Sequence, residues 1–390
     1  MSDVWLRRLV GSPIPLMVAL NVVGVNLITP VLPSYANHFD VGIAAASFLI
    51  TVFAIARMSA RLPAGSLADR FGSRIVCMGG ASVQAFGALL ATVAPGLAVL
   101  LIARAIQGVG SALFGTSANR YLLVVTDKAE LGRAIASFQG GIVLGGTIGP
   151  LIGGVVAQQF GIFAPFYVQA GLAIALLIVS GFVIDRHEGP EGVVGSDKAA
   201  RPTLRQILAI PGFQVVMFGG FSVFFVRAGG INVVVPAFGD SILSMSPAAI
   251  GAVISLGSVV SLVVMPLAGR LADSRSRWEV AVGGALMTAI TVALFGVVEN
   301  EIQFFAIAAL SGIGIGFVAV ALPTMIGDLA PPGTEGRASG VYRMANDMGW
   351  IFGPITLALL ADQSRYGLAF LVAGVPLLLA AAVLSRSRSS

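Results

Sequence analysis

Charge is scarce in this sequence. Only 11% of its 390 residues are Asp, Glu, Lys or Arg, against roughly 25% in soluble domains, while 57% are hydrophobic. A single cysteine excludes an internal disulfide, and two isolated histidines leave no metal-ligand cluster. Because no phosphate-binding loop or nucleophile–base pair is present either, we expect neither an enzyme nor a cofactor. The apolar excess predicts a polytopic protein of the lipid bilayer.

Twelve segments are apolar over about 20 residues, the length that crosses the hydrocarbon core as a helix. They are too long and too uniformly apolar for barrel strands, so an all-α membrane fold is expected. We predict spans at 13–35, 43–63, 77–94, 97–120, 134–158, 163–184, 212–238, 248–268, 279–298, 302–327, 338–361 and 367–385.

The basic residues are distributed unequally between the two sides of these spans. Sixteen Lys and Arg fall in the tails and in one set of loops, whereas the opposite set carries only Arg365. By the positive-inside rule, both termini are cytoplasmic. This distribution explains the net charge of +5 without a nucleic-acid partner. The longest polar segment, 185–211, is interpreted as a cytoplasmic linker between six-helix bundles at 1–184 and 212–390.

The two halves are related by an internal repeat with a constant offset of 204 residues. Six spans per half give both halves the same orientation, as in transporters whose repeats are related by an axis along the membrane normal. A substrate site is then expected near mid-membrane, with alternating access by rocking of the two pseudo-symmetric bundles. The matching glycine pairs are Gly65 and Gly269, Gly108 and Gly312, Gly132 and Gly336, and Gly149 and Gly353.

Four motifs in this chain resemble those of the major facilitator superfamily. Residues 65–74 (GSLADRFGSR) resemble its loop 2–3 motif, and 104–112 (RAIQGVGSA) its span-four motif. Residues 145–154 (GGTIGPLIGG) resemble the span-five motif of drug:proton antiporters, and 30–35 (PVLPSY) the end of span one in the twelve-span branch. The resemblance implies a proton-coupled exporter of small organic molecules. We expect a monomer in a bacterial cytoplasmic (inner) membrane.

The first motif has a physical interpretation of its own. Its glycines permit tight turns, and Asp69 can face the positive N-terminal end of a neighbouring helix. The resemblance implies that this neighbour is span eleven, with Arg120 as an ion partner, so that the motif closes the cytoplasmic side. The alternative is a topological anchor. The predicted gate residues are Gly65, Asp69, Arg70, Gly72, Arg74, Arg120 and, in the second copy, Asp273.

The small residues of span five allow neighbouring helices to pack closely. A further hypothesis is that this span bends at its proline and seals the outer side against leak. The residues concerned are Gly145, Gly149, Pro150, Gly153 and Gly154.

Of the eighteen acidic residues, only Asp347 lies well inside a predicted span. Ionisable groups in the membrane are functional candidates by default, and Arg343 lies four residues earlier on the same helix face. We interpret Asp347 as the proton site and Arg343 as its modulator; the alternative is a permanent structural ion pair. The resemblance adds Arg104 as a proton-transfer residue, with hydrogen bonding to backbone carbonyls as its alternative. Span one carries no acid.

Residues that could line a substrate cavity form a second group. Arg227 has no acid nearby in sequence, so it either reaches Asp347 or faces the cavity. Several buried arginines against one acid favour a neutral, zwitterionic or anionic amphiphile over a lipophilic cation. Side-chain amides would orient the substrate, and aromatic rings would line apolar walls or merely pack between helices. The predicted cavity residues are Asn26, Gln107, Gln139, Phe224, Arg227, Asn232 and Asn346.

Proton-coupled export of amphipathic compounds is the function we favour at this point. Proton-coupled uptake of an organic anion is the alternative that the buried arginines support, and lysolipid translocation is a variant of export. A non-transporting sensor on the same fold is a third hypothesis, for which we would expect an appended soluble domain.

Overall fold

The computed structural model describes residues 13–126, 130–184, 206, 208–210, 212–330 and 335–387. Apart from 206 and 208–210, the predicted linker lies outside the described residues, as do the ends of both tails. Twelve long helices make up the described chain: α1 (Ile14–His38), α2 (Ile43–Phe71), α3 (Ser73–Thr92), α4 (Leu97–Val125), α5 (Leu131–Phe160), α6 (Ala164–Val183), α7 (Phe213–Ser241), α8 (Pro247–Ser274), α9 (Arg277–Val297), α10 (Glu301–Leu329), α11 (Glu335–Asp362) and α12 (Tyr366–Ser387).

Eleven of these helices are long and apolar enough to cross a membrane. The twelfth, α11, has the length but is less apolar, because it carries Arg343, Asn346 and Asp347 near its middle. The prediction of twelve membrane helices in an all-α fold is confirmed.

Several helices continue beyond the apolar segments that identify them. The second span is predicted to end at 63, but α2 continues to Phe71, so the charged motif occupies its last two turns. Gly65 therefore lies within a helix, and the expected tight turn at this glycine is wrong. Gly72 does form the turn between α2 and α3, with a φ of +81° that glycine adopts readily.

Several helix pairs that pack in the first half have counterparts that pack in the second half. In the first half α1 packs against α5, and α3 packs against α4 and α6. In the second half α7 packs against α11, and α9 packs against α10 and α12. The internal repeat of the sequence is thus a repeat of packing, in two pseudo-symmetric six-helix bundles.

The first helix of each half is irregular at a related place. In α1, a 3₁₀ turn at Thr29–Val31 contains Pro30, which cannot donate a backbone hydrogen bond. In α7, nine residues at Val226–Val234 form a π-helix. Val234 is the repeat equivalent of Pro30. The end of the π-helix in α7 therefore corresponds in the repeat to the 3₁₀ turn in α1. π-Helical turns are rare and occur often at functional sites.

The chain divides into two compact units, and α1 and α2 contribute to both. The first unit contains residues up to 28 and 55–184, and the second contains Thr29–Ala54 and the residues from 212 onward. Within the second unit, the Asp362 carboxylate accepts a hydrogen bond of 3.1 Å from the Ala44 N–H. A negative charge at the N-terminus of α2 stabilises that helix end.

Each unit has its own buried core. In the first, Cys77 and Phe114 are fully buried in a cluster with Met17. In the second, aromatic rings dominate, and Phe238 and Phe304 stack with ring centroids 5.6 Å apart.

Candidate functional site

Two helices of the second unit, α7 and α11, pack with their backbones in direct contact. A Cβ atom added at Gly349 would lie 2.7 Å from the Phe225 nitrogen, and one added at Gly353 would lie 3.1 Å from the Gly229 nitrogen. Both distances are shorter than the 3.5–4.0 Å or so of an unstrained contact. These glycines therefore allow the side chains on either side of the contact to approach one another.

The π-helix of α7 carries Arg227. This residue is half-buried and lies at the midpoint of α7, 14 residues from each end. Its guanidinium carbon lies over the Phe224 ring, 6.0 Å from the centroid, and that ring is 6.5 Å from the ring of Trp350 on α11. Cationic and aromatic groups thus occupy one patch in the middle of the second unit.

The acid predicted to bind protons lies on α11. Asp347 is only 4% exposed, whereas Arg343, one turn earlier, is exposed. Between them in sequence, Asn346 has a buried Oδ1 atom without a hydrogen-bond partner among the described residues. Asn232, on the π-helix, is also buried. The middle of α11 is therefore polar within a largely apolar bundle.

A second polar cluster lies in the first unit. Arg104 is 2% exposed, and its Nη1 donates a 2.7 Å hydrogen bond to Oε1 of the fully buried Gln107. Ser111, one turn further along α4, donates to Asn21 of α1 over 3.4 Å. Amide nitrogens of Asn21 and Gln107 have no hydrogen-bond partner within the described part of the chain. Buried groups of this kind commonly bind internal water.

Sequence reasoning missed two buried amides in this unit. Gln84 on α3 and Gln169 on α6 are 2% and 1% exposed, and each has at least one side-chain atom without a partner in the described ranges. An amide within an apolar span is the signal that could have identified them. Of the predicted cavity residues here, Asn26 donates to Val22 of its own helix over 2.8 Å, and Gln139 is exposed.

At the end predicted to be cytoplasmic, the structure brings Asp69 and Arg120 together. Arg120 Nε donates to Asp69 Oδ1 over 2.8 Å, and its Nη1 donates to Ser73 over 3.0 Å. Arg74 donates to the Gly181 carbonyl, which joins α3 to α6. The exposed Arg70 lies over the neighbouring Phe71 ring. The motif thus links the ends of α2, α3, α4 and α6 in the first unit. Its contact with the start of α11 stays a prediction.

The second copy of the motif makes its ion pair with the charges exchanged. Asp273, the equivalent of Asp69, is exposed. Instead Arg277, at the position equivalent to Ser73, forms an ion pair with Asp328 of α10 and donates to the Thr324 carbonyl over 3.3 Å. Thr324 is the repeat equivalent of Arg120. Both halves therefore use an ion pair here, but the base lies on α4 in one and on α9 in the other.

The span-five glycines face α1 along one helix stripe. Added Cβ atoms at Gly145 and Gly149 would lie 2.8 Å from the Cβ atoms of Val22 and Asn26. Gly153 meets the backbone of Leu27 in the same way. The helix is continuous through Pro150, and Gly154 is buried. This is the packing that small residues permit between membrane helices.

Known proteins are similar to this chain in sequence. An uncharacterized MFS-type transporter of Methanocaldococcus jannaschii is 23% identical over 87% of this chain and 88% of its own length. Multidrug resistance protein 2 of Bacillus subtilis is 24% identical over 90% and 88%. The synaptic vesicular amine transporter of Mus musculus is 25% identical over 74% of this chain and 56% of its own length.

Among solved structures, the fold is similar to that of a bacterial homolog of the human lysosomal transporter Spinster, in an inward-facing and occupied conformation. The TM-score is 0.83 at 16% identity, over 96% of this chain and 95% of that one. The family profile described as Major Facilitator Superfamily matches residues 16–242 and 216–389. On this evidence the chain belongs to the major facilitator superfamily of membrane transporters.

Proposed function

We propose that this protein exports small amphipathic organic compounds across a bacterial cytoplasmic membrane in exchange for protons, by alternating access. The observation that carries the proposal is the buried carboxylate of Asp347, 12 residues after the start of α11 and 15 before its end. An acid at that depth costs about 2.5–3.5 kcal/mol or more, so its presence favours a role in coupling.

The chemistry requires a group that binds a proton in one conformation and releases it in the other. A carboxyl group binds its proton more tightly when it loses solvent, and it releases the proton when a cation approaches. In the proposed cycle, the position of Arg343 relative to Asp347 differs between the two conformations. Arg104, hydrogen-bonded to Gln107 in the first unit, is proposed as a second coupling group.

Two packing features support alternating access. The ion pair of Asp69 and Arg120 is proposed to stabilise the state closed on the cytoplasmic side, together with the start of α11. The glycine stripe of α5 is proposed to seal the outer side, because its glycines bring α5 into close contact with the backbone of α1. The multidrug resistance proteins among the relatives favour drug-like substrates.

Flux measurements in proteoliposomes test the proposal. With an imposed pH gradient, the wild-type protein should accumulate a fluorescent amphipathic drug against its concentration gradient. Asp347→Asn should abolish this accumulation while leaving downhill exchange of the compound, because the neutral amide packs like the acid but carries no exchangeable proton. Asp347→Glu should retain part of the coupled flux.

The matched control is Glu299→Gln, which removes an exposed acid between α9 and α10. This variant should accumulate the drug as the wild type does. Full pH-driven accumulation in Asp347→Asn would refute the assignment of the proton site, and wild-type flux indifferent to the pH gradient would refute proton coupling.

Uptake of an organic anion is the second candidate, and the mid-membrane guanidinium of Arg227 is the observation that favours it. The two candidates differ in direction. Cells lacking the protein should accumulate more of the compound if it is exported, and less if it is taken up.

A further inference from the structure

The midpoint of α7 is an unfavourable place for a positive charge. Arg227 lies about 20 Å from either end of the helix, at 1.5 Å per residue. A base at this depth faces a cavity or a counter-charge rather than lipid. The half-buried guanidinium therefore needs a partner that the fold provides or that a ligand brings.

In the described part of the chain, Arg227 contacts an aromatic ring and forms no ion pair with a carboxylate. Its contact within the described residues is with Phe224, and it forms neither an ion pair nor a hydrogen bond there. An ion pair with Asp347, one of the two possibilities that the sequence left open, is not made. A cation–π contact holds the guanidinium but satisfies none of its five N–H donors, which lie in the guanidinium plane.

Two aromatic rings lie one after the other beside the guanidinium: Phe224 contacts it, and Trp350 packs against Phe224. Phe224 contacts Trp350 across the α7–α11 interface, and both rings are half-buried. The close approach of the two backbones at Gly349 brings these rings together. A planar donor beside an aromatic ring that packs against a second ring is complementary to a molecule with an oxyanion at one end and an apolar ring system at the other.

We propose that Arg227 binds the anionic group of the transported compound, a carboxylate, sulfonate or phosphate, and that Phe224 and Trp350 contact its apolar part. This assignment rests on the proposed transport function and narrows its substrate class to amphipathic anions. Arginine suits the role because its planar fork binds an oxyanion through two parallel hydrogen bonds. The π-helix supports it, because the changed helical register determines where this side chain points.

The test compares two probes that differ only in charge. Pyrene-1-butyrate and its neutral amide are titrated into the purified protein in phosphatidylcholine nanodiscs, with Trp350 fluorescence as the signal. Trp5→Phe and Trp278→Phe together leave Trp350 as the only tryptophan. The carboxylate should bind more tightly than the amide by a factor on the order of ten or more, since charge-assisted hydrogen bonds are strong.

Arg227→Gln should abolish this preference by weakening carboxylate binding, while the affinity for the amide stays as it was. Unchanged amide binding shows that the variant is folded. Arg227→Lys should keep part of the preference, because it retains the charge but not the planar fork. The matched control, Arg365→Gln, removes an exposed arginine at the start of α12 and should leave the preference intact.

Equal affinity for both probes in the wild type, no binding of the carboxylate, or an undiminished preference in Arg227→Gln would each overturn the assignment.

Added phosphatidylglycerol identifies the source of the anion. If a lipid headgroup occupies the site, this lipid should compete with the carboxylate in the wild type but not in Arg227→Gln. Proton-driven flux of the neutral amide that is lost in Asp347→Asn would leave the proposed function standing even if the assignment of Arg227 failed.

Discussion

Two adjacent glycines of α5 provide a matched test of the helix packing in the first unit. Gly145 faces α1, where an added Cβ atom would lie 2.8 Å from Val22 Cβ and 3.0 Å from the Val23 nitrogen. Gly146 has no atom within 4 Å of the same position. Both residues are helical, so replacing glycine by alanine stabilises the helix by the same intrinsic amount, about 0.5–1 kcal/mol, at either site. The difference between the two variants therefore isolates the steric term.

The size of that term follows from the distances. Unstrained carbon contacts lie near 3.5–4.0 Å, so the methyl group that Gly145→Ala adds would displace α1 by roughly 1 Å. Overpacking of this kind typically costs about 1–3 kcal/mol. In a unit of this size each kcal/mol shifts the melting temperature by about 2–4 °C. Gly145→Ala should therefore melt roughly 2–12 °C below Gly146→Ala.

Cys77 reports this melting without any engineered label. It is the only cysteine of the chain, is fully buried, and lies in the core of the unit that contains both glycines. Unfolding exposes the thiol to a fluorogenic maleimide, so heating in detergent with this dye gives the transition. Equal transitions for the two variants, or a more stable Gly145→Ala, would refute the argument that this glycine is needed for close approach.

Two other contacts allow tests of the same kind. A double-mutant cycle on Asp69 and Arg120 can be measured with the same thiol reporter. The coupling energy should be about 0.2–1 kcal/mol, which is the range for exposed ion pairs. If the effects of the two single substitutions on stability simply add, the pair is not stabilising. Asp362→Asn should accelerate amide hydrogen exchange at the start of α2, because the Ala44 N–H loses a charged acceptor; exchange unchanged from the wild type would contradict this.

The features that sequence alone predicted are those set by composition and by spacing along the chain. Span length and loop charge depend only on local residues, so the twelve helices were predictable, and even α11 was identified despite its polar middle. The constant offset also relates Gly149 to Gly353, and both turn out to lie at close contacts between equivalent helix pairs.

Other features depend on three-dimensional neighbours and had no local signal. Nothing in residues 226–234 distinguishes a π-helix from an α-helix, so the setting of Arg227 was not predicted. The ion pair of Arg277 with Asp328 joins α9 to α10. The first copy of the motif has Ser73 at the position equivalent to Arg277, so the repeat did not predict this pair. Gly65 resembled a turn residue because a polar final turn of a helix and a loop have similar compositions.

The polarity of α11 has a consequence for how the protein is made. On a scale of membrane insertion, Arg and Asp near the centre of a helix each add about 2.5–3.5 kcal/mol, so α11 enters lipid poorly by itself. Its contact with α7 through Gly349 and Gly353 gives the helix a protein surface to join instead. Bulky substitutions at these glycines should therefore lower the amount of correctly inserted protein in cells, a biosynthetic defect that a transport assay alone would mistake for lost activity.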